Sequence, residues 1–378
     1  MAAPKVEKSY VRSRPLLEGV TFVVTTGRGS MDHYAQKLAE WLPVRTLELY
    51  AFARSGNLFG EPLLSTAAGR QFARDVALVR RLRRVEGLLH IPNHHLSRYG
   101  PFLGGPYVVT AHDVIRYLDL TRDEPLIHAP NRRDRLYIAL DVAGIRRADA
   151  VIAPSHATRH DLVRHLGIRE DRIAVVYEGV DHAVFRPTDR RLLPDPYVLF
   201  VGSEHPRKNL ASLFRALARL KRDPALRDLR LVKVGAPGGR EAPFREQTLE
   251  ALRTSGLAAE DVLFIGHLRA ENLAAYYAGA ECLVFPSLYE GFGLPTVEAM
   301  ASGCPVIVSS VGSLPEIAGE AALVVPPSDD AALADAIAAV VGDEALARGL
   351  RRRGLARARE FSWARAARET VAVYERLL

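Results

Sequence analysis

The stretch Leu283-Val-Phe-Pro-Ser-Leu-Tyr-Glu-Gly-Phe-Gly-Leu-Pro-Thr-Val-Glu-Ala-Met-Ala-Ser-Gly-Cys-Pro-Val-Ile-Val-Ser-Ser310 reads as strand, glycine loop, helix, turn and strand. Leu283–Phe285 and Val306–Val308 are the two apolar runs. Between them Gly291 and Gly293 form a loop, Pro295 suits a first helical position, and Gly303 with Pro305 ends the helix. A glycine loop feeding a helix N-terminus is an anion site. Free N–H groups and the positive dipole end face the ligand, and glycine lets the backbone come close. Two carboxylates flank this site, Glu290 before the loop and Glu298, expected in the first helical turn. Carboxylates repel phosphate but accept hydrogen bonds from hydroxyls. A phosphorylated, hydroxyl-rich ligand such as a nucleotide sugar satisfies both halves. An ordinary βαβ turn, with Glu298 only complementing the dipole, fits the same pattern.

Outward from this stretch, strands and helices alternate in both directions. Val20–Thr25, Leu88–Ile91, Tyr107–Thr110 and Ala150–Ala153 are predicted strands, and Ser155 caps a predicted helix from His156 to Leu166. Phe185–Pro196 carries Pro187, Pro194 and Pro196 among charged residues and marks a boundary. The pattern then restarts with strands at Tyr197–Gly202, Leu229–Val234 and Val262–Ile265. Such alternation predicts parallel sheets covered on both faces. At 378 residues, two domains are the expectation.

Composition narrows the chemistry. Cys282 and Cys304 are the only cysteines and each adjoins an apolar run. Two buried thiols are expected, which excludes a disulfide framework or a cysteine zinc cluster. Met1–Arg14 is charged with no apolar block, and no run of about 18 apolar residues exists. A cytoplasmic protein is the expectation. The net charge of +7 lies in the N-terminal half: residues 1–186 hold 27 Lys and Arg against 20 Asp and Glu, residues 187–378 hold 24 against 24. That excess suits an anionic acceptor or peripheral contact with the inner face of an anionic membrane. It also suits a solvated arginine-rich surface, and no nucleic-acid reading motif accompanies it. No D-x-D occurs, so no metal-bridged diphosphate site is expected.

Glu290-Gly-Phe-Gly-Leu-Pro-Thr-Val-Glu298, within the longer run from Pro286-Ser to Pro305-Val-Ile, resembles the E-x(7)-E signature of glycosyltransferase family 4. Its members are retaining enzymes of the GT-B fold. The resemblance extends from about residue 20 to the C-terminus and is strongest after Val198. It implies an α/β fold of two Rossmann-like domains whose parallel sheets face an interdomain cleft. Their bounds would be residues 1–186 on the acceptor side and 187–361 on the nucleotide-sugar side, with helix 362–378 crossing back.

Val201-Gly-Ser-Glu-His-Pro-Arg-Lys-Asn-Leu210 is the second motif. A guanidinium grips a pyrophosphate with two hydrogen bonds and an ammonium adds a compact charge. The resemblance assigns this grip to Arg207 and Lys208. Some members carry a further Arg after the glycine, where this chain has Ser203. His112, in Val109-Thr-Ala-His-Asp113, matches a family histidine near the donor sugar, with Asp113 orienting it or capping the next turn. The catalytic set implied is thus His112, Glu290, Arg207 and Lys208.

For donor binding the resemblance implies Gly202, Gly235, Gly266, His267 and Leu268 around the nucleotide. The amides of Gly291, Phe292, Gly293 and Leu294 would contact sugar and phosphate, and Glu298 the ribose. Members often show Gly-Gly in the first loop; here it is Gly29-Ser30, leaving Ser30 as the contact. His94 and His95 are acceptor-side candidates. No metal or other cofactor is implied. The partners are a nucleotide-sugar donor, with GDP-mannose slightly favoured by Pro-Arg-Lys-Asn, and a glycan or lipid-linked acceptor. The remaining readings are another GT-B enzyme, such as a sugar-nucleotide epimerase, and a catalytically silent sugar-nucleotide sensor.

Overall fold

The computed structural model describes residues 15–25, 27, 29–49, 67–189, 192–237 and 241–378. Thr26 and Arg28 of the first loop, and most of the polar arm before Leu17, lie outside the described residues. In the first half the strands are β1 (Val20–Thr25), β2 (Arg45–Leu49), β3 (Leu88–Ile91), β4 (Tyr107–Thr110), β5 (Ala150–Ala153) and β6 (Ile173–Val175). Its helices are α1 (Ser30–Ala39), α2 (Ala67–Leu82), α3 (Ile115–Leu118), α4 (Arg132–Arg147) and α5 (His156–Leu166). The second half carries β7 (Tyr197–Val201), β8 (Arg230–Val234), β9 (Val262–Ile265), β10 (Cys282–Phe285), β11 (Val306–Ser309) and β12 (Ala322–Val325). Its helices are α6 (Leu210–Leu220), α7 (Glu241–Ser255), α8 (Ala270–Gly279), α9 (Leu294–Ala301), α10 (Leu314–Ala318), α11 (Asp330–Gly342), α12 (Glu344–Ala358) and α13 (Trp363–Glu375).

The strands form two six-stranded sheets, ordered β2-β1-β3-β4-β5-β6 and β12-β11-β10-β7-β8-β9. Every pairing is parallel. This is the GT-B arrangement. The central strands are buried on both faces, which is why they read as unbroken apolar runs rather than alternating ones. All four β10 residues are fully buried, and burying each such side chain contributes about 1.5–3 kcal/mol. Cys282, within this strand, and Cys304, after α9, are free and buried.

In the second sheet the connections run outward from β7 toward β9 and from β10 toward β12. The direction therefore reverses between β7 and β10. Loops leaving adjacent strands at such a reversal diverge and open a crevice, where open α/β sheets bind ligands. The two motifs of the sequence, after β7 and after β10, both leave this point.

Helix α13 returns to the first sheet. Trp363, Ala367 and Tyr374 join Phe22, Tyr34 and Val108 in one apolar cluster. The Tyr374 hydroxyl meets His90 Nδ1 at 2.6 Å beneath β3. Among the described residues no helix is long and apolar enough to cross a membrane.

Candidate functional site at the interdomain cleft

Pro206–Lys208 forms a single 3-10 turn after β7. Asn209 follows in the left-handed conformation, φ 55°, which asparagine tolerates better than most residues. Its amide donates to the carbonyls of Pro286 (3.1 Å) and Pro327 (2.8 Å), tying this loop to the ends of β10 and β12. The turn thereby points two cations at one acid. Arg207 Nη1 and Lys208 Nζ donate to the same oxygen, Glu290 Oε1, at 2.8 and 2.6 Å. The Lys208 and Glu290 side chains are only 8% and 9% exposed. Burial alone would raise the Glu290 pKa, but the two cations outweigh it and hold it at about 2. Burial, with Arg207 adding to it, draws the Lys208 pKa down to about 8. Two cations against one carboxylate leave this corner of the cleft net positive.

The loop after β10 presents backbone. Ser313, on the β11 side, donates its N–H to the Glu290 carbonyl (3.1 Å). Its hydroxyl is shared between the carbonyls of Glu290 (3.0 Å) and Phe292 (2.9 Å). In a planar trans peptide the N–H points opposite to the C=O. Fastening these carbonyls to Ser313 turns the N–H groups of Gly291 and Gly293 away from it. Neither N–H donates to a protein acceptor among the described residues. Gly293 has φ 93°, a left-handed turn into α9 that needs glycine.

Two expectations are corrected here. Helix α9 starts at Leu294, so Pro295 is its second residue and Glu298 lies in the second turn rather than the first. Glu298 is therefore no dipole complement. It is buried and accepts from the Tyr277 hydroxyl on α8 at 2.9 Å. Burial raises its pKa to about 7; the Tyr277 bond opposes this and the negative charge of Glu178 adds to it. Phe292 packs its ring between Tyr177 and Phe361, at 6.3 and 5.8 Å. Only its backbone is left to face a ligand.

Gly202, Gly235 and Gly266 end neighbouring strands. Gly202 N–H donates to Val234 O at 2.9 Å, and Gly235 N–H to Ile265 O at 2.9 Å. They form a continuous backbone shelf beside the β7 loop. His267 and Leu268 follow directly on that shelf. Ser30 opens α1, one turn before Tyr34. Among the described residues no hydrogen bond joins Ser30, His267 or Leu268 to the charged corner.

From the first domain, His112 reaches the same place through its backbone. A Cβ on Gly291 would lie 1.9 Å from the His112 carbonyl oxygen, so the loop can approach only as glycine. The His112 ring is fully engaged. Nε2 meets the Pro92 carbonyl at 2.9 Å and Nδ1 meets Glu178 Oε1 at 3.1 Å. The Tyr34 ring stands edge-on at 4.7 Å. Burial pulls the His112 pKa down, but the Glu178 hydrogen bond and charge overcome it and the net shift is upward. A carbonyl can only accept and a carboxylate accepts best from an N–H, so both partners favour the charged form of the ring. Asp113 does not orient it; its carboxylate accepts from Ile115 N–H at 2.9 Å and caps the next turn. His94 lies behind, accepting the His112 N–H at 3.2 Å.

Glu178, Tyr277, Ser313, Ser155, Thr158 and Glu316 are the working residues that sequence reasoning missed. Only Ser155 carried a signal, as a helix cap, and its side chain does cap α5.

The two halves match two domain descriptions in order. Residues 31–184 match "Glycosyltransferase Family 4" and residues 195–343 match "Glycosyl transferases group 1". The chain is 31% identical over 239 residues to an O-antigen chain mannosyltransferase B of Escherichia coli, covering 61% of each. It is 32% identical over 289 residues to an MMP alpha-(1->4)-mannosyltransferase of Mycolicibacterium hassiacum, covering 73% of this chain and 66% of the relative. The chain thus spans less than two thirds of these relatives. A sucrose-phosphate synthase from Thermosynechococcus elongatus superposes with a TM-score of 0.75 at 25% identity, over 95% of this chain and 99% of that one.

Proposed function

Because the chain belongs to glycosyltransferase family 4, we propose that it moves a hexose, with retention, from a nucleoside-diphosphate sugar to an acceptor hydroxyl. One observation carries this reading. Arg207 and Lys208 meet on Glu290, which opens the glycine loop at the reversal point of the second sheet, and the N–H groups of Gly291 and Gly293 donate to no protein acceptor among the described residues. Free amides beside two cations suit a diphosphate. As the glycosidic C–O bond lengthens, negative charge grows on the departing diphosphate. Fixed cations stabilise it there without reorganisation.

The acidic side chains suit the rest of the donor. Glu298, buried beside Tyr277, takes the ribose hydroxyls, and Glu290 takes the sugar hydroxyls while its other oxygen keeps the cations aligned. The His112 imidazolium adds positive potential on the first-domain wall. The acceptor hydroxyl attacks from the face the diphosphate leaves, through an oxocarbenium-like state, as the family mechanism has it. The likeness to two proteins named as mannosyltransferases favours GDP-mannose as donor. The acceptor class is a glycan, a lipid-linked sugar or a small-molecule hydroxyl.

Incubation with GDP-mannose and a mannoside acceptor, followed by NMR of the product's anomeric proton, tests the reaction. An α-linked product, formed equally with a chelator present, supports retention without a metal. A β-linked product, an epimerised donor or binding without turnover contradicts it.

A further inference from the structure

Helix α5 belongs to the first domain, yet its first turn is bonded to the second. The Ser155 hydroxyl donates to the Gly291 carbonyl at 2.6 Å, and the Thr158 hydroxyl donates to the same oxygen at 3.0 Å. The N–H groups of His156 and Ala157 donate to the two carboxylate oxygens of Glu316, on α10, at 2.8 and 3.0 Å. One turn later, Asp161 accepts from the Tyr289 hydroxyl at 2.5 Å. Ser155, Thr158 and Gly291 are all buried. Every one of these bonds crosses from one domain to the other, and they converge on residues 289–316.

We infer that Ser155, Thr158 and Glu316 are positioning residues, holding the donor loop in its ligand-ready shape from the opposite domain. The inference rests on reading residues 290–294 as the donor loop. Gly291 is one of the two glycines there, the residues with the widest backbone freedom. Its neighbours' carbonyls are fastened by Ser313 from within the second domain, whereas its own carbonyl is fastened only from α5. Two donors on one carbonyl fix the plane of the 291–292 peptide, and planarity passes the constraint on to the Phe292 N–H. Glu316 adds a second tie. A carboxylate on the first N–H groups of a helix meets unpaired donors and the positive dipole end together. When the domains separate, both ties are lost and the loop regains its freedom. The donor site is then complete only in the closed molecule, which couples donor geometry to the acceptor-bearing domain.

Thr158→Val removes one of the two donors on the Gly291 carbonyl and leaves the Ser155 cap of α5 in place; Glu316→Ala removes the second tie. Amide hydrogen exchange across 290–294, read on the free protein, is expected to quicken by about tenfold or more in each variant. The kcat for transfer is expected to fall about ten- to a hundredfold through misplacement of the loop. Thr158→Ser, which keeps the hydroxyl, should restore both. Unchanged exchange at 290–294 overturns the inference whatever the activity, as does a lowered melting temperature with unchanged exchange and kcat. Exchange that quickens while even the wild type turns over no nucleotide sugar leaves the clasp standing and removes the donor reading instead.

Discussion

The Lys208 ammonium stands 2.6 Å from the Glu290 carboxylate at the point where the second sheet reverses direction. Lys208 also lies 4.5 Å from the centre of the Phe285 ring, so its charge has an aromatic floor and an acidic wall. Removing it strips Glu290 of one of two partners. Breaking a buried pair usually costs about 3–5 kcal/mol. Because Arg207 still meets the same oxygen at 2.8 Å, Lys208→Ala is expected to cost less, about 2–3 kcal/mol. Urea unfolding measures this. Donor affinity should fall further than stability, since the diphosphate loses a direct partner.

Glu298 makes stability and donor binding depend on pH in opposite directions. Burial raises its pKa from 4.5 to about 7. A carboxyl with a raised folded-state pKa stabilises the fold fully below its unfolded pKa, and that contribution is lost as pH rises through the folded value. Stability should therefore decline between about pH 4.5 and 7. Ribose hydroxyls donate best to the ionised form, so donor affinity should rise over the same interval. Glu298→Gln should flatten both curves, read by melting temperature and by calorimetric titration at several pH values. Curves that keep their slopes in the variant assign the effect elsewhere.

Glu178 outweighs burial at His112 and raises its pKa above the usual histidine value. A histidine whose folded pKa is raised contributes stability fully present below 6.5 and lost as pH climbs through the folded value. Glu178→Gln removes the carboxylate that sustains the imidazolium. NMR titration of the ring should show the His112 pKa falling below its wild-type value, and the alkaline limb of kcat/KM should move to lower pH with it. An unmoved pKa would mean that Pro92 and burial alone set the charge.

The two domains approach closely at Gly291. A methyl there would lie 1.9 Å from the His112 carbonyl oxygen, a backbone atom that cannot turn aside. Gly291→Ala should hold the cleft open and lower kcat/KM about a hundredfold or more, with a folded protein by circular dichroism. Small-angle scattering should show a larger radius than wild type. Wild-type activity in this variant would place the working conformation elsewhere.

The reach of the sequence follows from the range of each signal. The loops after β7 and β10 were legible because glycine, proline and charge concentrate at strand ends, and such signals are local. Tertiary partners carry no such mark. Nothing in the spacing of Glu178, Ser313 or Glu316 relates them to the partners they meet in the fold, His112, Glu290 and the first turn of α5. One helical register was misread: Pro295 tolerates the first or the second position, and that single step moved Glu298 out of the first turn.

Titration of the purified protein with GDP-mannose, UDP-glucose and ADP-glucose, followed by calorimetry, tests the central claim most directly. The structure predicts saturable binding of at least one of them by the wild type, weakened at least about tenfold, or ~1.4 kcal/mol, in both Lys208→Ala and Glu298→Gln. Binding of none of the three, or wild-type affinity in both variants, would contradict it.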